Sequence, residues 1–323
     1  MASVDIVVPN YNYGRYLEAC VGSALSQEAA AVRVLIVDNA STDDSVAIAR
    51  RLAAADPRVE LLLRPENLGP HASFNAGIDW ARADYFLLLF ADDFLVPGAL
   101  RRALAVMEKN RAIAFCYGQN VAIRDDAPLP EIAVQPAAPA IELMSGRAFI
   151  EQFCDLGVFQ IPGPSILVRT RVQQRTGHYR PSLPHSDDYE LWLRLAMHGP
   201  VAALDCIQAG IRTHATNRST DLWTHQSLHV LHTAAAAESF FHHEGRWLDG
   251  AEALRKRARR GIAHRAYWSA VSHALQGNPE AVRLLKLAFK LSPYTVLVPP
   301  LGYVLRRRDA IARMRSLVTR ALR

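Results

Sequence analysis

The chain is poor in cysteine and almost without lysine. Its 323 residues include four cysteines, Cys20, Cys116, Cys154 and Cys206, widely separated and with no CxxC pair. That spacing excludes a disulfide framework and a zinc ribbon, and suits free core thiols in a reducing compartment. Of the 37 basic residues only Lys109, Lys256, Lys286 and Lys290 are lysines. With so much alanine beside it, the arginine bias reads as genome composition as readily as function. No run of about 18 apolar residues is present, so a spanning helix is not expected. The longest apolar candidate, Tyr294 to Leu305, is short and carries Pro299-Pro300. Asp5 interrupts the apolar start, so no signal peptide is expected and a cytoplasmic location is. GxGxxG, a Walker A loop and a GxSxG elbow are all missing, which counts against dinucleotide, P-loop and α/β-hydrolase chemistry. There are no repeats.

What is present is enough for a full core. Half the residues are apolar, and the length allows one large domain or two medium ones. Charge is divided unevenly. Residues 251–323 carry 16 Lys/Arg against 3 Asp/Glu, a net of +13, and residues 1–250 carry 21 against 28, a net of −7.

Strand and helix patterns alternate through the first 110 residues. Ser3–Pro9, Val32–Val37, Val59–Leu63 and Tyr85–Phe90 read as short apolar strands. Tyr13–Gln27, a segment ending at Ala55, Pro70–Ala81 and Pro97–Lys109 read as helices, the last two opened by proline. Thr42 or Asp43 is placed to cap the second helix. Ala112–Ile123 is a fifth strand, Asp125–Pro139 a loop, and Ile141–Leu156 and Asp188–His198 are helices. This predicts an α/β fold with a mostly parallel sheet flanked by helices on both faces. Strand signals stop after about Leu222, so the expected division is a catalytic domain over 1–222 and a helical, Arg-rich region over 223–323.

Leu87 to Pro97 reads LLLFADDFLVP: a buried run that ends in Asp92-Asp93. Burying a lone carboxylate costs several kcal/mol unless it is paired or metal-bound, and in open α/β sheets ligands bind at the C-terminal strand ends. The pair therefore points to a divalent cation, and a second pair, Asp187-Asp188, follows about a hundred residues on. Together they suggest a metal-assisted transferase acting on a phosphorylated donor. Both pairs also precede helix starts, where acids serve as caps.

The motifs VVPNYNYGRYLEACVGSALSQ, LIVDNASTDDS, ENLGPHASFNAGI, LLLFADDFLVPGAL and HSDDYELWLRLAMHG occur in this order. In this the chain resembles the family-2 glycosyltransferases, inverting enzymes of GT-A (Rossmann-like) fold that use nucleotide-diphosphate sugars, over roughly residues 3–220. The resemblance implies a donor site of Pro9, Tyr11, Asp38, Asn67, Gly69, Asn75, Asp92, Asp93 and His214. Tyr13 lies in the same first loop as Pro9 and Tyr11. Asp38 is matched to the acid that accepts a hydrogen bond from the base, a role suited to a bare carboxylate on an exposed strand end; the competing reading is an N-cap or Asx-turn acid. Gly69 is expected to supply a positive φ or a close backbone approach. Asp92, Asp93 and His214 are matched to the metal site, for Mg²⁺ or Mn²⁺ against the diphosphate, with Asp93 either ligating or orienting. Asp188 is matched to the general base, with Asp187 beside it. Trp192 is expected beneath the acceptor, Arg194 in a local salt bridge, and Arg212 and Arg218 near the phosphates.

The chain departs from the family at two positions. Phe74 stands where many relatives carry Arg, and Phe90 where many carry an acid. These departures motivate a second reading, a catalytically degraded sugar-nucleotide-binding or scaffold protein; a nucleotidyltransferase is a third. The expected partners are a UDP-sugar donor and a glycan or lipid-linked acceptor. Leu305–Arg323 has seven arginines, one acid and apolar residues at helical spacing. It fits peripheral contact with the inner face of a membrane, or a helix docked on the domain. No aromatics interleave with those arginines, so nucleic acid is not expected. His225, His229 and His232 fall at helical spacing, but no Cys or acid completes a zinc site beside them.

Overall fold

A computed structural model describes residues 2–28, 31–125, 130–217 and 225–305. The chain divides into two compact units. The first comprises Met1–Gly146, Ile161–Pro181 and Leu195–His214; the second comprises Arg147–Gln160, Ser182–Arg194 and the chain from Ala215 on.

The first unit is built on one nine-stranded sheet. Its strands are β1 (Ser3–Asn10), β2 (Ala31–Asp38), β3 (Val59–Leu63), β4 (Tyr85–Leu88), β5 (Phe94–Leu95), β6 (Phe115–Arg124), β7 (Ile141–Met144), β8 (Leu167–Arg169) and β9 (Val201–Thr213). Their order is β3-β2-β1-β4-β8-β6-β9-β5, with β7 also on β9. Strands β3, β2, β1 and β4 are parallel, as the alternating pattern predicts. Beyond β4 the sheet is mixed. The pairs β4–β8, β6–β8, β5–β9 and β7–β9 are antiparallel, and β6–β9 is parallel.

Helices cover both faces of the parallel half. Val4, Ile6, Val8, Val34 and Ile36 share a core with α1 (Gly14–Leu25), α2 (Ser45–Ala55) and α4 (Ala99–Lys109). On the other face α3 (Pro70–Trp80) lies against β1, close enough that a Cβ on Gly77 would stand 2.4 Å from Val7 Cγ1. This two-sided burial explains the unbroken apolar runs of β1, β2 and β4. We expect Gly77→Ala to lower stability by about 1–3 kcal/mol, as overpacking of a filled core does. Urea denaturation tests it: an unchanged midpoint would mean that Val7 and α3 yield freely.

Ile141–Met144 corrects a sequence expectation. The segment is not the first turn of a helix but strand β7, paired with Val201–Leu204. The helix α5 begins at Gly146, where a Cβ would meet Ala196 O at 1.7 Å. The cap position of α2 is Asp44, not Thr42 or Asp43; Asp43 accepts from Ser45 N at 3.0 Å just ahead of the helix.

Asp5 is fully buried within β1. Its carboxylate accepts from Arg33 Nε and Nη2 at 2.9 and 2.8 Å, and from the amides of Arg82 and Ala83 at 2.6 and 2.8 Å. A buried charge is tolerated when so fully hydrogen-bonded, and here it pins the entry to β4 beside β1.

A short helix, α6 (Thr170–Thr176), follows β8 in the first unit, and in the second unit lie α7 (Asp187–Ala196, all but its last two residues), α8 (Gln226–His242), α9 (Ala251–Ala274) and α10 (Glu280–Leu291). No helix among the described residues is long and apolar enough to cross a membrane.

Candidate active site

The parallel strands β2 and β4 deliver Asp38 and the Asp92-Asp93 pair at their C-terminal ends. After β4 the chain turns, Asp93 N donating to Phe90 O at 2.9 Å, and enters β5. The turn sends the two carboxylates to different partners. Asp93 Oδ1 accepts from the Arg212 amide at 3.0 Å. Burial, and next the negative charge of Asp92, push the Asp93 carboxyl well above the usual carboxylate range. Asp92 Oδ2 instead lies 3.1 Å from His214 Nε2.

The His214 side chain is fully buried. It stacks on Tyr16 with ring centroids 5.3 Å apart and meets Tyr13 edge-on at 5.2 Å. These rings hold the imidazole in place toward Asp92. Tyr16 is fixed in turn by its hydroxyl, which donates to Asp125, and by the Arg212 guanidinium 4.9 Å from its ring centre. Burial first, and then the bond to Asp125, raise the Tyr16 hydroxyl to about 12. Arg212 also donates to the carbonyl of Asp125, so its charge is engaged at the loop after β6. Arg218 lies outside the described residues.

The three residues expected to bind metal do not form a protein-only cage. Among the described residues, no group of three or more His, Cys, Asp or Glu is arranged to hold a metal ion. What the fold does bring together is an Asp–His pair. That donor set fits Mg²⁺ or Mn²⁺, because such ions are commonly held by one or two protein groups with substrate phosphate and water completing the shell.

Asp38 is not the bare, exposed carboxylate expected from the sequence. It is 1% exposed. Its Oδ1 accepts from Ser41 N at 2.9 Å, and its Oδ2 from Asn10 Nδ2 at 2.8 Å and Ser41 Oγ at 2.7 Å. The Ser41 bonds reach three residues on, one further than an Asx-turn, and close the turn that follows β2. A carboxylate has about four lone-pair sites, so three bonds leave Oδ1 one further acceptor position. Asn12, at φ 58°, reaches across to the same turn and accepts from Thr42 N at 2.7 Å. Pro9 is paired in register with Val37, one residue before Asp38, and Tyr11 is exposed in the loop that follows.

The third loop is organised by Asn39. Its side chain donates to Asn67 Oδ1 at 2.6 Å and to Gly69 O at 3.2 Å, and accepts from Leu68 N at 3.1 Å. Gly69 has φ 80°, as expected. A Cβ there would meet open space, so conformation and not a close approach calls for glycine. Asn75 faces a different partner, exchanging two bonds with the Tyr179 backbone at 3.0 and 2.8 Å. In the sequence Asn39 and Ser41 read only as turn chemistry, and Asn10 and Asn12 carry no reading; the Asn-rich PNYN and DNAS turns are the available signal.

Phe74 and Phe90, the two departures from the family, touch each other. Their ring centroids are 5.9 Å apart, and Phe74 also packs edge-on against Tyr179 at 5.1 Å. Two isolated losses of a polar group are thus one apolar contact.

Asp187 and Asp188 open helix α7 in the second unit. The preceding residue, Ser186, has φ 55°, a left-handed conformation costly for a residue with a Cβ. Asp188 Oδ1 accepts from the Tyr189 amide at 2.8 Å, and Asp187 is the more deeply buried of the pair. Trp192 is buried against Phe159 and Tyr189, at 5.7 and 5.6 Å. Arg194 pairs with Glu190 at 2.8 Å, both side chains buried. His229 is not in a zinc triad. Its ring nitrogen is 3.0 Å from Arg265 Nη2, and burial, followed by the Arg265 charge, draws the imidazole down to about 3.

The family model for glycosyl transferase family 2 matches residues 5–161. Over those residues the chain matches this family. It is 26% identical over 223 residues to a chondroitin synthase of Pasteurella multocida, covering 67% of this chain and 21% of that protein. The chain therefore spans about a fifth of that relative's length. It is 24% identical over 203 residues to a UDP-Glc:alpha-D-GlcNAc-diphosphoundecaprenol beta-1,3-glucosyltransferase of Escherichia coli, covering 63% of this chain and 73% of that one. Residues 1–349 of S. aureus TarS, solved in complex with UDP, share the fold with a TM-score of 0.60 at 14% identity, over 99% of this chain and 89% of that one.

Proposed function

We propose that the chain is an inverting, metal-assisted glycosyltransferase. It takes a sugar from a nucleoside-diphosphate donor, a UDP-sugar first, and places it on a hydroxyl of a glycan or lipid-linked acceptor. The setting is cell-surface polysaccharide or glycoconjugate synthesis, in the cytoplasm, with peripheral membrane contact through the Arg-rich C-terminus. The observation that carries the reading is the Asp92–His214 pair at 3.1 Å, set at the C-terminal end of β4 in a β3-β2-β1-β4 sheet. That is the crevice where open α/β sheets bind ligands. The activities named for the two relatives and the UDP bound to TarS support the donor class.

In this reading the residues divide the work. Asp38, with its one remaining acceptor position, meets the base, and Pro9, Tyr11, Asn67, Gly69 and Asn75 wall the nucleotide or fix that wall. Asp92 and His214 hold the divalent ion, and Asp93, turned to the Arg212 amide, fixes the orientation of the loop. A bound ion there neutralises charge on the departing diphosphate. Asp188 takes the acceptor proton as its oxygen attacks C1 from the face opposite the leaving group. Asp187 holds the neighbouring position.

A nucleotide panel tests the donor site. Thermal stabilisation is measured with UDP, dTDP, GDP and CDP, each with and without Mn²⁺. A ligand at a hundred times its Kd adds about 2.7 kcal/mol. We expect one nucleotide to stabilise the chain, more so with metal, and its sugar conjugates then to release nucleoside diphosphate in the presence of acceptor. Binding without turnover would favour the degraded, sugar-nucleotide-binding reading that Phe74 and Phe90 motivate. Release of pyrophosphate would mark a nucleotidyltransferase.

A further inference from the structure

The helix α10 has two apolar sides, and only one is used. Leu284 and Ala288 are buried in the second unit. Val282, Leu285 and Phe289 recur at the same helical spacing on the opposite side and are exposed, Phe289 by 54%. Beyond the helix the apolar exposure continues through Tyr294, Leu297 and Leu301, each exposed by 66% or more. Residues on a helix three and four apart line one face, so Arg283, Lys286 and Lys290 make a basic stripe directly beside the apolar one. Arg283 gives one N–H to Glu280 at 2.8 Å while its side chain stays largely exposed. Lys286 and Lys290 make no ion pair among the described residues. From Ala281 to Leu305 the sequence contains no acid.

We infer that this face is a docking surface for an anionic lipid bilayer. Charge selects the occupant. A second copy applying the same face to itself would set basic stripe against basic stripe with no acid to answer it, since a two-fold interface meets its own patch. Residues 306–323 carry seven arginines and one acid, so as an occupant they too would set like charge against the basic stripe. A surface of anionic headgroups over acyl chain answers both stripes at once. Apolar side chains with phenylalanine and leucine enter the headgroup boundary, and lysine and arginine meet the phosphates. Tyr294, at the end of the stripe, suits the same boundary by its apolar ring and polar tip. This surface is described by its own residues and does not depend on the glycosyltransferase reading.

Co-sedimentation of the full chain with vesicles tests it. The vesicles are phosphatidylcholine alone or phosphatidylcholine with about a third phosphatidylserine. We expect binding to the mixed vesicles only, weakening as salt rises. The double variant Leu285→Gln/Phe289→Gln is expected to lower that binding at least roughly tenfold, and Lys286→Glu/Lys290→Glu by a similar factor. Melting temperature and nucleotide stabilisation should stay unchanged in both, because exposed substitutions seldom disturb a fold. Three results overturn the inference: no binding to mixed vesicles, binding that survives both double variants, or a concentration-dependent dimer that the variants abolish. The second would assign the affinity to the Arg-rich tail, and the third the face to a second copy.

Discussion

Asp188→Asn should cut sugar transfer by about 10²–10⁴-fold, the range contributed by a positioned general base, while nucleotide binding stays near its original strength. The substitution is chosen to spare the structure. Asp188 Oδ1 accepts from the Tyr189 amide at 2.8 Å, and the carbonyl oxygen of asparagine can accept the same bond. What is removed is the capacity to take a proton. The donor-binding candidates lie on the first unit, and Asp188 on the second, so a base defect should leave nucleotide stabilisation alone. Asp187→Asn should have the smaller effect on turnover. The readout is initial rate with saturating donor, beside thermal stabilisation by the nucleotide. Full activity in Asp188→Asn would remove the base assignment. Equal loss in both variants together with a lowered melting temperature would mean that the strained Ser186 turn, and not proton transfer, had been disturbed.

The parallel half of the sheet was legible because burial on both faces writes itself into sequence as unbroken apolar runs. Strands β8 and β9 were not. Leu167–Arg169 is three residues long, too short to show a period. Val201–Thr213 mixes apolar with polar residues and includes Gly210, where a Cβ would meet the Phe94 ring at 2.0 Å. That glycine makes sense only once the cross-strand partner is known. The same holds for Ile141–Met144, four residues whose partner Val201–Leu204 lies about sixty positions away.

At the candidate site the acids were legible and their partners were not. Asp92 and Asp93 look equivalent in sequence. Their difference comes from β9, which brings His214 to one and the Arg212 amide to the other. Asp38 looked bare because Asn10, which lies beside it in the β1–β2 register, is 28 residues distant. Phe74 and Phe90 teach the converse. Read singly, each is a missing polar group, and burying an unpaired charge at either position would be costly. Read as a contact, they are mutually consistent: with phenylalanine at one position, an aromatic neighbour fits the other better than an unpartnered acid or guanidinium.

Asp92→Ala should abolish the metal-dependent part of nucleotide binding and leave the metal-independent part in place. Hard divalent ions prefer oxygen ligands, and removing Asp92 leaves the His214 nitrogen without its carboxylate partner. Asp93 has its Oδ1 on the Arg212 amide at 3.0 Å, and in this reading it orients the loop and does not replace Asp92. The fold should tolerate the change: Asp92 is one of the charges that push the Asp93 carboxyl upward, so its removal relieves a like-charge contact. The measurement is nucleotide affinity by calorimetry with and without Mn²⁺. We expect the gain from metal, at least about tenfold or 1.4 kcal/mol in the parent, to vanish in Asp92→Ala. Asp93→Asn is the discriminating control. Its amide oxygen can still accept from Arg212 N, so the metal gain should persist if Asp93 orients the loop, and should vanish if Asp93 is itself a ligand. A gain kept in Asp92→Ala and lost in Asp93→Asn would exchange the two roles, and with them the reading of the 3.1 Å Asp92–His214 pair as the place where the ion is held.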